Sequence, residues 1–209
     1  MPVTAAPPEE RVVLHNISWE TYERLLAERG DSPGTRFTYN EGNLEIMVVY
    51  VGHESPNRTL AAIAEITAEE TGRDFRRTGS ATFKRQDLSK GFEPDSSFYF
   101  RQADAIRGKD EIDLATDPPP ELIIEVDISR SSLNRFPIFA AIGVAEIWRY
   151  DGQRVQFHAL EGKAYRPIDQ SLVLPPMTAA QATIFLERDR HEKAILWLRA
   201  LREWIRAQA

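Results

Sequence analysis

The segment Glu121-Leu-Ile-Ile-Glu-Val-Asp-Ile128 constrains the fold of this chain more than any other. Pro118-Pro119-Pro120 precede it and Ser129-Arg-Ser-Ser132 follow. A short apolar run with such punctuation at both ends is the profile of a buried central strand. Side chains alternate along a strand, so Leu122, Ile124, Val126 and Ile128 make one apolar face. Glu121, Ile123, Glu125 and Asp127 share the other, with Glu125 and Asp127 roughly 7 Å apart along the strand. Two carboxylates at the end of a core strand are costly unless a positive group sits between them. A hard divalent cation with oxygen ligands meets that need. Upstream, Pro94-Asp95 opens a second strand-like segment, Asp95-Ser-Ser-Phe-Tyr-Phe100, and brings another acid. The structural alternative is that these acids lie beyond the sheet edge, solvated or paired with arginines.

The chain of 209 residues is long enough for one domain with a sizeable core. We expect a loose tail over 1–15 and a single domain over 16–209. The absence of cysteine rules out disulfides, thiolate nucleophiles and cysteine zinc sites. No apolar run approaches the ~20 residues that span a bilayer, and no basic segment leads an apolar stretch at the N-terminus, so a cytoplasmic location is expected. A net charge of −6 argues against nonspecific coating of nucleic acid, although Arg73, Arg76, Arg77, Lys84, Arg85 and Lys90 concentrate basic charge locally.

Helix and strand signals alternate along the chain. Ser18 is placed as an N-cap, and Trp19, Tyr22, Leu25 and Leu26 recur at helical spacing up to Gly30. Strands are expected over 36–39 and 44–51 around the turn Asn40-Glu-Gly-Asn43. A helix over 55–71 follows, stopped by Gly72, then strands around 75–84 and 94–100 and a polar stretch with a short helix. Residues 134–142 read as a nearly all-apolar helix that tolerates Pro137 only in its first turn and is closed by Gly143. A hairpin over 144–160, a third strand near 164–168 and a helical C-terminus beyond Pro175-Pro176 complete the pattern. The last helix carries an apolar stripe of Trp197, Leu198, Leu201, Trp204 and Ile205, suited to its own domain or to a second copy. The class is α/β, a mixed sheet with helices on its faces.

Taken together, these residues resemble the PD-(D/E)xK nuclease superfamily, and more narrowly the bacterial Uma-two endonuclease family, catalogued as a domain of unknown function. The anchors are Gly42-Asn-Leu-Glu-Ile-Met47, His53-Glu54, Pro94-Asp95, Pro120-Glu-Leu-Ile-Ile-Glu-Val126, Ser131-Ser132 and Gly143-Val-Ala-Glu-Ile-Trp148 with Asp151. The likeness runs from about Ser18 to Leu186. It implies a restriction-endonuclease-like core and an endonuclease that cleaves DNA with Mg²⁺ or Mn²⁺. Asp95 and Glu125 would be the metal ligands, with Asp127 completing the shell. Asp127 stands where the superfamily places its lysine; in this family that lysine has moved to the following helix, and the matching position here is Arg135. Arginine stays protonated and cannot act as a base, yet it can bind the scissile phosphate. The resemblance also raises Glu54 as a third ligand, against its plainer role as an acid at a helix N-terminus. Ser131 and Ser132 are expected to cap the following helix, and Trp148 and Tyr150 to pack on the sheet. Related nucleases often act as homodimers. A second reading keeps the fold but makes the chain a catalytically degenerate module that binds nucleic acid or a protein. A third, an acid pair for glycoside hydrolysis, has no other feature in its favour.

Overall fold

The computed structural model describes residues 9–30, 34–49, 51–128 and 133–208. The strands are β1 (Glu9–Leu14), β2 (Thr35–Asn40), β3 (Asn43–Val49), β4 (Arg76–Arg77), β5 (Phe83–Arg85), β6 (Lys90–Phe92), β7 (Ser96–Tyr99), β8 (Leu122–Val126), β9 (Glu146–Tyr150), β10 (Val155–Glu161) and β11 (Ala164–Ile168). The helices are α1 (Trp19–Arg29), α2 (Val51–Glu70), α3 (Ala103–Ile106), α4 (Phe136–Ile142), α5 (Ala179–Asp189) and α6 (Ala194–Arg206). The class is the expected one. The strands divide into an antiparallel sheet ordered β1-β3-β2-β6-β5 and a mixed sheet ordered β11-β10-β9-β8-β7-β4.

Strand β8 sits inside the mixed sheet, parallel to β9 and antiparallel to β7. Its alternation sorts the two faces as the sequence demands. Leu122, Ile124 and Val126 join the large core with Leu60, Ile63 and Ala64 of α2, Phe185 of α5 and Trp197 and Leu201 of α6. Ile123 points the other way, into a smaller core with Ile138, Phe139 and Ile142 of α4. Pro137 lies at the start of α4, and Gly143, at φ +94°, closes it by returning its N–H to the Phe139 carbonyl. Trp148 stacks on Phe157 across β9 and β10, with ring centroids 4.4 Å apart. Trp197, Leu201 and Ile205 of the α6 stripe are buried within this chain and Leu198 and Trp204 half-buried, and Trp197 also donates to the Phe185 carbonyl at 2.8 Å.

Two expectations need correction. Residues 9–14, assigned to a loose tail, are an edge strand paired along its whole length with β3. Its sequence, Glu9-Glu10-Arg11 and then Val12-Val13-Leu14, shows no polar–apolar alternation, which hid it. The expected strand over 75–84 is two short strands in different sheets, β4 and β5. Gly79, at φ +57°, turns the chain between them. The expected caps Ser131 and Ser132 lie outside the described residues, whereas Ser18 does cap α1, accepting from the Thr21 N–H at 3.2 Å.

The antiparallel sheet has two distinct faces. Phe37, Tyr39 and Leu44 pack against Trp19 and Tyr22 of α1. The register places Arg11 and Arg36 opposite Met47, and Val13 and Thr38 opposite Glu45, on the other face. That second face carries its polar side chains toward the end of β8.

Candidate active site

Asp95 lies one residue before β7, just beyond the last paired residues Ser96 and Ile124. Continuing that register places Asp95 opposite Glu125, with both side chains on the α4 face of the sheet. The Asp95 carboxylate accepts from the Val126 N–H through Oδ2 at 2.8 Å. Both acids are buried, at 5% and 4% relative exposure.

Arg135 immediately precedes α4 and reaches back over the strand end. Its Nη1 donates to Glu125 Oε2 at 2.5 Å, and its Nη2 donates to Glu45 Oε1 at 3.1 Å. The same Glu45 oxygen accepts from Arg11 Nη1 at 2.9 Å. Arg11 also donates from Nη2 to Asp127 Oδ1 at 3.2 Å, while Arg149 Nη2 donates to Asp127 Oδ2 at 2.8 Å. Thus the four acids Glu45, Asp95, Glu125 and Asp127 gather with the three guanidiniums of Arg11, Arg135 and Arg149, and link the two sheets.

Burial pushes the Glu125 carboxyl up to about 8, with repulsion from Asp95 and Asp127 adding to it and Arg135 opposing. Burial alone would lower the Arg135 pKa, but Glu125, Glu45 and Asp95 outweigh it and raise it further, so the guanidinium stays charged. Glu125 Oε1 is buried without a hydrogen-bond partner among the described residues, and so is Arg135 Nε. A buried carboxylate oxygen opposite a second acid, with no donor among the described residues, is the feature a cation would complete.

No group of three or more histidines and acids that could hold a metal occurs among the described residues. A pair of carboxylates suits an ion that takes one or two of them and completes its shell with water and substrate oxygens, which is how Mg²⁺ is usually held. Asp95 and Glu125 are the two buried acids that the strand register sets opposite each other here. Asp127 does not share the situation of Glu125, because each Asp127 oxygen accepts from an arginine.

Glu45 escaped sequence reasoning as a site residue, although it lies inside one of the quoted anchors. Its signal was an acid in the middle of an apolar strand, Leu44-Glu45-Ile46-Met47, where burial demands a cationic partner. Arg11 escaped because its segment was not read as a strand. Glu54 is instead paired with Arg58 one turn along α2, at 2.6 Å, and the His53 side chain lies outside what is described. The basic cluster is largely spent on neighbours: Arg77 on Glu65, Lys84 on Glu23, Arg85 on Asp87 and Lys90 on Glu41. Glu146, another anchor residue, is structural. It is fully buried and accepts from Trp148 Nε1, Ser171 Oγ and the N–H groups of Leu172 and Val173. Among the described residues no helix is long and apolar enough to cross a membrane.

The model of the Uma2 family, described as "putative restriction endonuclease", matches residues 19–184. No curated protein matches the chain.

Proposed function

Because the chain belongs to the Uma2 family, we propose that it is a metal-dependent endonuclease that hydrolyses DNA phosphodiester bonds at the Asp95–Glu125 pair. The observation that carries this reading is the buried Oε1 of Glu125, without a hydrogen-bond partner among the described residues, at the strand position opposite Asp95. Asp95 and Glu125 would hold Mg²⁺ or Mn²⁺, which when bound supplies charge to a phosphoryl oxygen and acidifies a water.

The protein's own groups have separable tasks. Val126 N–H fixes one Asp95 oxygen, so the carboxylate enters the site in one orientation. Arg135 carries a permanent positive charge against Glu125 and has an Nε–H donor without a partner among the described residues. A phosphate arriving there would gain a charge-assisted hydrogen bond that strengthens as charge develops on its oxygens. Glu45 holds Arg135 from its far side, so the guanidinium keeps one acid partner when it turns towards phosphate. Asp127, held by Arg11 and Arg149, serves as the anchor that ties β1 and β9 to the strand end rather than as a ligand.

A second reading has an observation of its own. At 2.5 Å, Arg135 already neutralises Glu125, and no lysine stands at its position. On that reading the chain is a degenerate module that binds nucleic acid or protein without cutting. Supercoiled plasmid and short single-stranded DNA, incubated with Mg²⁺, Mn²⁺ or EDTA, separate the two. Metal-dependent cleavage that disappears in Asp95→Ala supports the nuclease. Equal cleavage by Asp95→Ala removes the site assignment, and metal-independent binding without cleavage favours the module.

A further inference from the structure

The apolar face of α2 carries one residue that does not belong there on hydrophobic grounds. Asn57, Leu60, Ala64 and Thr67 follow one another at helical spacing and are all buried beneath the mixed sheet, with Asn57 at 4% exposure. Burying an amide in such a layer costs about 1–3 kcal/mol unless both of its ends are satisfied. Both are, and on the same short piece of chain. Asn57 Nδ2 donates to the Asp95 carbonyl at 3.2 Å, and Asn57 Oδ1 accepts from Ser96 Oγ at 2.8 Å.

The location of these bonds matters more than their number. The β7–β8 ladder ends at Ser96, so Asp95 lies outside the regular pairing that positions the strand. Its carboxylate faces the charged site on one side of the sheet and is tied to Val126 N–H. Its carbonyl is tied to Asn57 from the α2 side. Asp95 is thereby clamped through its side chain by β8 and through its backbone by α2. Freeing the backbone removes one of the contacts that set the carboxylate's position relative to Glu125, which sits opposite it.

We infer that Asn57 is a positioning residue for the Asp95 carboxylate, acting through the backbone and holding it in register with Glu125; the inference rests on the reading of Asp95 as a metal ligand. Thr59 provides an internal control. It lies two residues further along α2 and donates to Asp189 Oδ2 at 2.6 Å, so its loss loosens the helix without touching Asp95.

The test is calorimetric titration of Mn²⁺ into the DNA-free protein, with thermal melts run in parallel, on wild type, Asp95→Ala, Asn57→Ala, Ser96→Ala and Thr59→Val. Groups that orient metal ligands typically change affinity by about 10–100-fold when removed. Asn57→Ala should weaken Mn²⁺ binding on that scale, and Ser96→Ala, which frees only one end of the amide, by a smaller factor in the same direction. Thr59→Val should stay within about twofold of wild type whatever its melting temperature does. If wild type binds Mn²⁺ and both Asn57→Ala and Ser96→Ala match it, the positioning role is wrong while the metal site stands. Equal losses in Asn57→Ala and Thr59→Val overturn it as well, since general loosening of α2 would then explain both. If Asn57→Ala does not fold, Ser96→Ala against Thr59→Val decides. Wild type that binds no Mn²⁺, or Asp95→Ala that binds as well as wild type, overturns the metal-site reading and this inference with it.

Discussion

Removing the Arg135 charge is the most direct probe of the buried constellation. Arg135→Met keeps an unbranched apolar stem and leaves Glu45 and Glu125 without the cation between them. Glu45 retains Arg11 at 2.9 Å, so its loss is partial. Glu125 loses its 2.5 Å partner, and its other oxygen has none to fall back on. Breaking one side of a buried pair costs about 3–5 kcal/mol. Glu125 limits that cost by taking up a proton, which its pKa near 8 already favours. The variant should therefore lose about 2–3 kcal/mol at pH 6 and nearer the upper figure at pH 9, where the wild-type carboxylate is charged and paired while the variant must take up a proton or strand the charge. Urea denaturation, followed through the fluorescence of buried Trp148 and Trp197, gives both values. The double variant Glu125→Gln with Arg135→Met should recover part of the loss, with a coupling of about 1–3 kcal/mol across the cycle. Additive single changes, or a loss under about 1 kcal/mol that ignores pH, would refute the claim that Arg135 is the counter-charge of Glu125.

Glu125→Gln tests the proton itself. Because the folded pKa lies above the ordinary carboxylate value, this group's stabilising contribution is complete below about pH 4.5 and fades as pH rises towards about 8; stability curves of the metal-free variant should lack that decline, and an unchanged decline would count against it. Tyr22→Phe should be neutral or stabilising, since the Tyr22 hydroxyl is buried without a hydrogen-bond partner; a melting temperature lowered by several degrees would show an acceptor where none is described. Gly91→Ala should destabilise by about 1–3 kcal/mol, because its Cβ would stand 2.4 Å from that hydroxyl, and pairing it with Tyr22→Phe should recover part of the loss. Glu146→Ala should cost about 3 kcal/mol or more by stranding the N–H groups of Leu172 and Val173, read as faster proteolysis near 171–173; protection equal to wild type would contradict the role given to Glu146.

Local pattern determined the parts of this protein that obey one rule at a time. The alternation of Leu122 to Val126, the Ser18 cap, the Gly143 stop and the 144–160 hairpin are each set by neighbours a few residues away, so they could be read directly. The acids at positions 95 and 125 were legible for the same reason: a charge beside an apolar run stands out wherever it is placed. Three things required the tertiary structure. The separation of β4 from β5 depends on which sheet edge each can reach, and that is a long-range choice. The strand at 9–14 depends on a partner that begins at Asn43. The third is the assignment of charges, because Arg11, Glu45, Asp127, Arg135 and Arg149 come from five separate segments and only their distances tell which acid is neutralised and which is left short. Coulombic energy in a poorly screened interior falls with separation in space and is indifferent to separation in sequence. That is why Asp127 looked like Glu125 along the strand, and why folding leaves one held by two arginines and the other with an oxygen that has no partner among the described residues.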